Sequence, residues 1–423
     1  MIIKDAIREV CIHSDKKTVL PIANRLREVM KKILFFCLIT ITLNTPFYSK
    51  VLAADSKNSP HVNSEAVILM EEKTGRVLYE KNADLNMYPA SLTKVATAIY
   101  AIEKGNLDDI VSVSKNARYV DGTRVYLEEN EKVPLKKLVQ GLLINSGNDA
   151  GVAIAEHLDS SEKAFATNLN KYMRGIGLQD TNFENSHGLF NPEHTTTARD
   201  LAKITQYAMK NEEFREIFGT KELKWKGAAW ETTIFNHHKL MRERPYEGVT
   251  GGKTGYVDQS GQTLITTATR EGMSVIAVIL KGQTQAVAYN DTIELLDYAF
   301  TGFKVIDIPK GKEFKTNNNT FVTEADKFFP ISKNEKVRED ITDAGVLEIR
   351  NQDQALIASF QLIKAKKPET IESRQKEKQG EGLDPVKYSY YHIAFLILGI
   401  SILCFFIFTF RFIRNKRRFK KYR

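Results

Sequence analysis

The sequence predicts an α/β protein in which one antiparallel sheet is flanked by helices, followed by a small all-β domain and a C-terminal transmembrane helix. Strand-like runs lie at both ends of residues 64–300, and helical patterns lie between them. Short alternating strands follow over residues 301–363, and residues 388–410 form a nearly continuous apolar run. Strands that precede and follow a group of helices can assemble into one sheet on which those helices pack.

Residues 1–54 carry an export signal. From Met30 the chain reads MKKILFFCLITITLNTPFYSKVLAADS. It begins with a Lys-Lys pair, continues with an apolar stretch and ends in small residues of the kind found at a cleavage site. These are the parts of a secretory signal peptide, and we expect cleavage after Ala53 or Ala54. An amphipathic core segment is the alternative. The residues before Met30 fit no part of such a signal, which indicates that translation starts at Met30.

A β-hairpin and a buried helix begin the exported chain. Residues 66–70 and 76–79 are strand-like runs on either side of a Lys-Thr-Gly tripeptide at 73–75, whose glycine suits the turn. The stretch SLTKVATAIYAIEKG, from Ser91 to Gly105, is apolar on almost every face. A helix that is apolar all round is a buried one.

The rest of this segment contains further helices and then the strands that complete the sheet. Amphipathic or apolar helices are predicted at 135–145, 150–158, 196–210 and 289–300, and strands at 252–257, 262–270 and 273–280. The predicted division of the chain is a signal region (1–54), the main α/β domain (55–300), a small β-sandwich-like domain (301–363), a charged stalk (364–387), a membrane helix (388–410) and a basic tail (411–423).

The apolar run at 388–410 has the length of a membrane span. As a helix it would be roughly 34 Å long, which is enough to cross a bilayer. Tyrosines mark one interface and the Lys/Arg-rich tail marks the other. The positive-inside rule therefore predicts a single-pass membrane protein with its C-terminus in the cytoplasm and its main domain outside.

The net charge of +9 is confined to the two ends of the chain. Residues 1–54 contribute +5 and residues 411–423 contribute +8, which leaves −4 for residues 55–410. A mildly acidic main body argues against nucleic acid as a partner.

Cysteine and histidine placement argues against metal and thiol chemistry. Cys11, Cys37 and Cys404 lie before the signal, inside it and in the predicted membrane span. The exported part has none, which excludes disulfides, a cysteine nucleophile and cysteine-ligated zinc there. His237 and His238 lie in a polar loop without carboxylates at zinc spacing, so we expect neither a metal nor another cofactor.

Ser91 and Lys94 are the first candidate catalytic pair. Their spacing of three residues, at the start of the predicted buried helix, places both side chains on one helical face. The N–H of Ser91 lacks an intrahelical partner there and can donate to an oxyanion. Apolar neighbours disfavour the charged form of Lys94 and lower its pKa toward that of a base. The alternative is an N-cap serine beside a lysine that snorkels to the surface.

Two further motifs could face the same cleft. Ser146-Gly147-Asn148 interrupts two apolar helices and presents a hydroxyl and an amide on a tight turn, although such a turn alone can be purely structural. Lys253-Thr254-Gly255 follows two glycines and opens a strand, where the backbone can approach a ligand closely. The earlier copy at 73–75 precedes the serine, and we interpret it as a hairpin apex.

The order of these motifs resembles the Ser-x-x-Lys, Ser-x-Asn and Lys-Thr-Gly set of the penicillin-recognising serine enzymes. The surrounding stretches YPASLTKVATAI, LLINSGNDAGVAIAEHL, GLQDTNFENSHGL and TGGKTGYVDQSGQTLITTA look like the low-molecular-weight penicillin-binding proteins. These are serine-type D-alanyl-D-alanine carboxypeptidases of the bacterial cell wall. The resemblance covers roughly residues 64–300, and TGGKTGY resembles the sporulation-associated branch.

The resemblance implies how the catalytic residues act. Ser91 would attack the carbonyl between two D-alanines of a peptidoglycan stem peptide, and Lys94 would take its proton as general base. Ser146 would relay a proton to the leaving amine, and water would then hydrolyse the acyl-enzyme. β-Lactams would acylate Ser91 in place of the substrate.

It also implies how the substrate is held. Asn148 would hold the substrate amide, and Lys253 and Thr254 would meet the substrate carboxylate. Gly255 would complete the substrate-binding motif, and the N–H groups of Ser91 and Tyr256 would form the oxyanion hole.

The chain departs from the family pattern at two places. Tyr256 stands where some members have histidine, which is harmless if only its backbone donates. Members often carry an arginine between the last strand and the last helix that helps to clamp the carboxylate, whereas Ala286 and Ala288 occupy this stretch. We interpret His187, which matches a family position, as structural, and Trp225 and Trp230 as core or cleft-wall aromatics.

Two alternative functions remain open at this point. A β-lactamase of the same fold would need a Glu-x-x-Leu-Asn stretch after the second motif, and residues 160–224 contain none. A wall-binding module without activity is favoured by the missing arginine. The presence of every motif side chain argues against it.

Overall fold

A helical region is enclosed between two groups of strands, and after one further helix the described part of the chain forms strands only. In the computed structural model, which describes residues 59–317 and 319–365, the strands are β1 Ala66–Glu71, β2 Val77–Lys81, β3 Ile110–Ser112, β4 Lys132–Pro134, β5 Glu222–Lys226, β6 Glu231–Phe235, β7 Val249–Val257, β8 Gly261–Arg270, β9 Met273–Gly282, β10 Phe303–Ile308, β11 Glu313–Lys315, β12 Thr320–Val322, β13 Lys327–Ser332, β14 Val337–Ile341, β15 Val346–Asn351, β16 Leu356–Gln361 and β17 Ile363–Lys364. The helices are α1 Thr93–Lys104, α2 Lys115–Tyr119, α3 Leu135–Ile144, α4 Asn148–Asp159, α5 Glu162–Gly175, α6 Ala198–Ala208, α7 Glu212–Gly219 and α8 Gln285–Gly302.

The central sheet has five strands in the order β2-β1-β9-β8-β7. Every neighbouring pair in it is antiparallel. The N-terminal hairpin joins the later strands through β1 and β9, with Leu69 opposite Ala277. The prediction of one antiparallel sheet assembled from both ends of the segment is therefore confirmed, and β7 is its outer strand.

Both faces of the sheet are covered by helices. Every residue of β9 except Lys281 is buried, and successive side chains of a strand point to opposite faces. One alternating set packs in the core that contains α1, α3, α4 and α6: Ile276, Val278 and Leu280. The other set packs in the core that contains α8: Val275, Ala277 and Ile279. Burial on both faces explains why this strand is a continuous apolar run.

Helix α1 lies at the centre of the helical layer. Its residues from Thr93 to Ala101 are all buried, and it contacts α3, α4, α5, α6 and α7. Gly105 follows its last residue, Lys104. The prediction of a buried helix closed by this glycine is confirmed, and the burial extends to the ionisable side chain of Lys94.

The first Lys-Thr-Gly tripeptide forms the turn between β1 and β2. Gly75 has a φ of +73°, a value that glycine adopts without steric cost. The Thr74 hydroxyl donates to the carboxylate of Glu71 at 2.5 Å, and the Lys73 ammonium lies 4.9 Å from the ring centre of Phe328. The prediction of a hairpin apex is confirmed, and this apex packs against β13.

The strands after α8 enclose a core of their own. They form small antiparallel sheets, in the orders β10-β13, β11-β12-β17 and β14-β15-β16. Their buried apolar residues form one cluster: Ile308, Phe321, Phe329, Ile331, Leu347, Ile349 and Leu362. Because α8 ends at Gly302, the first of these strands begins slightly after the predicted boundary. The division into separate domains stays a prediction, since the described residues up to Ile363 belong to one unit.

Several predicted segments lie outside the described residues. These are the signal region, the membrane helix at 388–410, the basic tail and nearly all of the stalk. Among the helices that the structure describes, none combines the length and the apolar character needed to cross a bilayer.

Candidate active site

Ser91 lies in a tight turn directly before α1. The turn is a 3₁₀ segment, Ala90–Leu92, and Ala90 has a φ of +48°, which is uncommon for a residue with a side chain. Two glycines allow other segments to approach it. A Cβ added to Gly188 would lie 1.9 Å from the Ala90 oxygen, and one added to Gly255 would lie 2.8 Å from the Ser91 nitrogen. The turn therefore fits only between two segments that lack side chains at these points.

The amine of Lys94 is held between three oxygens. Its Nζ lies 2.9 Å from Ser91 Oγ, 2.7 Å from Asn148 Oδ1 and 2.6 Å from the carbonyl oxygen of His187. The amide and carbonyl oxygens can only accept. A neutral amine has two N–H groups and one lone pair, so the two hydrogens satisfy these acceptors. The lone pair is left for the Ser91 hydroxyl, which is the arrangement of a base beside a nucleophile.

Burial favours this neutral form of the amine. Lys94 is 0% exposed. Desolvation lowers its pKa well below the ordinary value, and the nearby Lys253 charge lowers it further. The alternative of a snorkelling lysine is thus excluded. The N-cap alternative fails as well, because α1 begins after Leu92 and receives no side-chain cap.

A second lysine meets the serine of the second motif. Lys253 Nζ donates to Ser146 Oγ at 2.9 Å and to the Thr254 carbonyl at 2.8 Å. Burial lowers the pKa of Lys253 to about 7. Ser146 has a φ of +60°, and strained backbone of this kind persists where the surroundings over-determine it. The second and third motifs are therefore joined by a hydrogen bond, as the first and second are by Lys94 and Asn148.

Asn148 and Asp149, at the start of α4, fix the wall of the cleft. Asn148 Nδ2 donates to the Asp121 carbonyl at 2.6 Å, which sets the orientation of its amide. The buried carboxylate of Asp149 accepts N–H groups from Val125 and Leu127 at 3.0 and 3.1 Å. These bonds hold the 121–127 segment against the Ser-x-Asn turn.

Strand β7 borders the nucleophile on the other side. Gly255 approaches the Ser91 nitrogen, whereas the Tyr256 side chain is 56% exposed and donates to Asp258 at 2.9 Å. Because β7 is the outer strand of the sheet, part of its backbone is free of strand partners. A contribution of the Tyr256 backbone to the site stays a prediction.

The structure brings all the predicted site residues into one region and adds groups that the motifs do not reveal. The most important addition is the His187 carbonyl, which accepts from Lys94. The ring of His187 lies 3.2 Å from Glu162, which supports a structural role for this side chain. Trp225 is buried and Trp230 donates to the Val125 carbonyl at 2.7 Å. Both act as core or wall aromatics.

His237 lies within reach of the charges of Lys253 and Arg242. Burial, and then these charges, lower the pKa of His237 to about 4, so its ring is neutral near pH 7. Ala288 is 2% exposed, so a long side chain at this position would have to displace its neighbours. His238 is buried and its Nε2 lies 2.8 Å from Thr266 Oγ1. No group of three or more metal-binding side chains occurs among residues 59–317 and 319–365.

The fold and the buried Ser–Lys pair are those of a penicillin-recognising serine hydrolase. The family model for D-alanyl-D-alanine carboxypeptidase, Peptidase S11, matches residues 53–284. This is more than half of the chain, and the chain belongs to that family.

Individual relatives agree with this assignment. The D-alanyl-D-alanine carboxypeptidase DacF of Bacillus subtilis (strain 168) is 32% identical over 328 residues, which are 74% of this chain and 84% of that protein. DacA of Escherichia coli (strain K12) is 30% identical over 303 residues, 65% of this chain and 72% of that protein. The crystal structure of penicillin binding protein 5 from Haemophilus influenzae superposes with a TM-score of 0.65 at 27% identity, covering 72% of this chain and 97% of that one.

The buried histidines predict how stability depends on pH. Burial lowers the pKa of both His194 and His238 to about 3, whereas an unfolded histidine titrates near pH 6.5. Below pH ~6.5 the unfolded chain binds more protons, so stability falls as the pH drops toward 3. In this range the free energy of unfolding changes by up to about 1.4 kcal/mol per pH unit for each histidine. Urea unfolding between pH 7 and 5 should show His238→Gln reducing this slope, with the exposed His61→Gln as control. If the free energy of unfolding depends on pH equally in His238→Gln and in wild type, the pKa of His238 is not lowered by burial.

Proposed function

We propose that this protein is a serine D-alanyl-D-alanine carboxypeptidase that removes the terminal D-alanine from peptidoglycan stem peptides through an acyl-enzyme on Ser91. One observation carries the proposal. The buried Lys94 amine lies 2.9 Å from Ser91 Oγ, and its other two contacts are oxygens that can only accept. The names of the relatives support the choice of substrate.

Acylation begins with proton transfer from the Ser91 hydroxyl to the lone pair of Lys94. Ser91 Oγ attacks the carbonyl between the two D-alanines, and the N–H groups of Ser91 and Tyr256 stabilise the oxyanion. The close approach of Gly255 to the Ser91 nitrogen supports this oxyanion hole, since Tyr256 is the next residue on β7.

The amide C–N bond then breaks and the leaving D-alanine needs a proton. Ser146 is the relay in this proposal, because its Oγ accepts from Lys253 and its own hydroxyl hydrogen remains available for the leaving amine. Lys94, which holds the proton from Ser91, then gives this proton to Ser146 in place of the one that Ser146 donated to the amine. Both Lys94 and Ser146 therefore end acylation in their starting protonation states.

Asn148, Lys253 and Thr254 bind the substrate. The Asn148 amide is pre-oriented by its bond to the Asp121 carbonyl, and Lys253 offers a charge to the terminal carboxylate, with the Thr254 hydroxyl beside it. The charge of Arg242, which acts on the same histidine as Lys253, supports carboxylate binding without the arginine that other family members carry. An extended peptide can lie along the free edge of β7.

Deacylation by water releases the shortened stem peptide, and β-lactams acylate Ser91 in place of the substrate. Among the described residues, no carboxylate is hydrogen-bonded to Ser91 or Lys94. In class A β-lactamases a glutamate that acts through a water molecule releases the acyl-enzyme quickly. Residues 160–224 lack the Glu-x-x-Leu-Asn stretch that would carry this glutamate. We therefore expect slow release of a penicilloyl group and not rapid penicillin turnover.

We also propose that the protein is exported and anchored in a bacterial cell membrane, with the catalytic domain outside. The signal anatomy from Met30 and the apolar run at 388–410 support this topology. The relatives named above are bacterial proteins.

The nucleophile is tested with fluorescent penicillin. Wild type should become covalently labelled, and Ser91→Ala should show no label, because only the serine hydroxyl can form the acyl bond. Labelling is read after denaturing electrophoresis, and D-alanine release from a stem peptide is measured in parallel. Equal label on both proteins, or none on wild type, would refute the proposed function.

The base is tested with Lys94→Met, which keeps the side-chain volume and removes the amine. We expect acylation to slow by about 10²–10⁴-fold, the usual contribution of a general base. Stability should be unchanged or higher, since an apolar replacement relieves a buried amine of its desolvation cost. Labelling kinetics and thermal unfolding are the measurements. A normal labelling rate would show that Lys94 is not the base.

The two Lys-Thr-Gly copies provide a matched pair. Lys253→Ala should reduce kcat/KM for a peptide with a free terminal carboxylate by about 10–100-fold, since a hydrogen bond to a charged group contributes about 1.5–3 kcal/mol. A substrate with an amidated C-terminus should lose less. Lys73→Ala removes only a contact with Phe328 and should leave kcat/KM unchanged for both the free-carboxylate and the amidated substrate. The reverse pattern would mean that the first copy belongs to the site.

A further inference from the structure

A hydrogen-bonded chain supports the nucleophile turn from behind. Thr93 Oγ1 lies 2.8 Å from the Ala90 carbonyl oxygen and 2.8 Å from His194 Nε2. The other ring nitrogen, His194 Nδ1, accepts the backbone N–H of Glu184 at 3.0 Å. Thr93 and His194 are both buried, so neither side chain is open to a substrate.

The direction of every bond in this chain follows from its donors. A backbone N–H can only donate, so Nδ1 of His194 carries no hydrogen. The single hydrogen of the neutral ring is therefore on Nε2, and it is donated to Thr93 Oγ1. The Thr93 hydroxyl hydrogen is left for the Ala90 oxygen. Burial lowers the pKa of His194 to about 3, so the ring stays neutral and the order of the bonds is kept near pH 7.

The hydrogen-bonded chain ends at the peptide group between Ala90 and Ser91, which carries the proposed oxyanion donor. The Ala90 C=O and the Ser91 N–H belong to one planar unit and point in opposite directions. Fixing the carbonyl therefore also fixes the N–H, whose nitrogen lies 2.8 Å from the position that a Cβ on Gly255 would take. Ala90 has a φ of +48°, a conformation that costs of order 1–3 kcal/mol and persists only with external support.

A second hydroxyl holds the preceding peptide group. Thr263 Oγ1, on β8, donates to the Pro89 carbonyl at 3.1 Å. Two successive carbonyls of the turn are thus held by threonines from different elements, α1 and β8. This arrangement leaves the peptide between Ala90 and Ser91 little freedom to rotate.

We propose that His194 and Thr93 are positioning residues that aim the Ser91 N–H into the oxyanion hole and strengthen it as a donor. Hydrogen bonds in a chain polarise one another, so a bond to the Ala90 oxygen makes the N–H of the same peptide a better donor. The inference rests on the proposed role of Ser91 as nucleophile. It adds His194, which lies outside the three motifs, and Thr93, which occupies an unspecified position of Ser-x-x-Lys. Neither side chain touches the substrate.

Helix α1 offers a matched control one turn further along. Thr97 is also buried and donates to a carbonyl, that of Ser186, at 2.7 Å. Thr93→Val and Thr97→Val each remove one buried hydroxyl from the same helix. Thr93→Val also leaves the His194 N–H without its acceptor, so thermal unfolding measures the stability cost of each variant separately. Only the acceptor of Thr93 belongs to the peptide of Ser91.

The experiment measures acylation of the purified full chain by penicillin at several concentrations, which separates initial binding from the acylation step. Thr93→Val should lower the acylation rate constant by about 10–100-fold, somewhat less than outright loss of an oxyanion donor. The dissociation constant of the initial complex should stay within twofold. Thr97→Val should react at the wild-type rate, and Thr93→Ser should recover most of it. His194→Gln changes the other end of the hydrogen-bonded chain and leaves Thr93 in place. It should lower the same acylation rate constant.

The positioning role of Thr93 and His194 and the nucleophilic role of Ser91 would fail in different ways. Equal acylation rates in Thr93→Val and Thr97→Val would overturn the positioning role, as would a Thr93→Val defect confined to initial binding. If Thr93→Val does not fold, His194→Gln decides alone, and an unchanged rate constant there overturns the inference. Loss of labelling in wild type itself would instead refute the role of Ser91. Thermal unfolding of each variant checks that the changes in rate are not changes in folded fraction.

Discussion

The removal of the Lys94 amine from water is the constraint on which the rest of the site depends. A charged ammonium at this depth would be costly, and the structure supports the neutral form instead. It supplies two oxygens that can only accept, Asn148 Oδ1 and the His187 carbonyl, and leaves the lone pair to Ser91. Each acceptor comes from a different part of the chain. The helical layer must therefore be assembled before the serine has a base.

Bringing these parts together requires backbone to approach backbone. The turn that carries Ser91 fits between Gly188 and Gly255, where any Cβ would lie within 3 Å of its atoms. This crowding acts on Ala90, which has a positive φ of +48°. Ser146, at the second motif, also has a positive φ, +60°. Such conformations persist where hydrogen bonds and packing from several elements hold them. Both serines of the proposed reaction therefore lie at or beside a residue of this kind.

The sequence predicted the parts of this site that depend on side chains and periodicity. The buried helix with Lys94, the Ser-x-Asn turn and the choice between the two Lys-Thr-Gly copies followed from apolar patterns and from motif order. It did not predict the carbonyls of His187 and Asp121, because every residue has a carbonyl and only the fold selects one. Gly188 was the available signal for the first, since a glycine beside a motif often marks a close approach. The hairpin of β5 and β6 was missed because its strands are half exposed and weakly patterned.

The two buried lysines have opposite requirements, and their proximity reconciles them. In the proposed reaction Lys94 must be neutral to accept a proton, whereas Lys253 must be charged to hold a carboxylate. Burial lowers the pKa of Lys253 to about 7, so part of the population lacks this charge near neutral pH. A carboxylate beside Lys253 favours its charged form and raises that pKa. The charge of Lys253 in turn lowers the pKa of Lys94. The carboxylate acts on Lys94 with the opposite sign and offsets this effect, so burial remains the main cause of the lowered pKa of Lys94. Substrate binding therefore charges the lysine that holds the substrate while the base stays neutral.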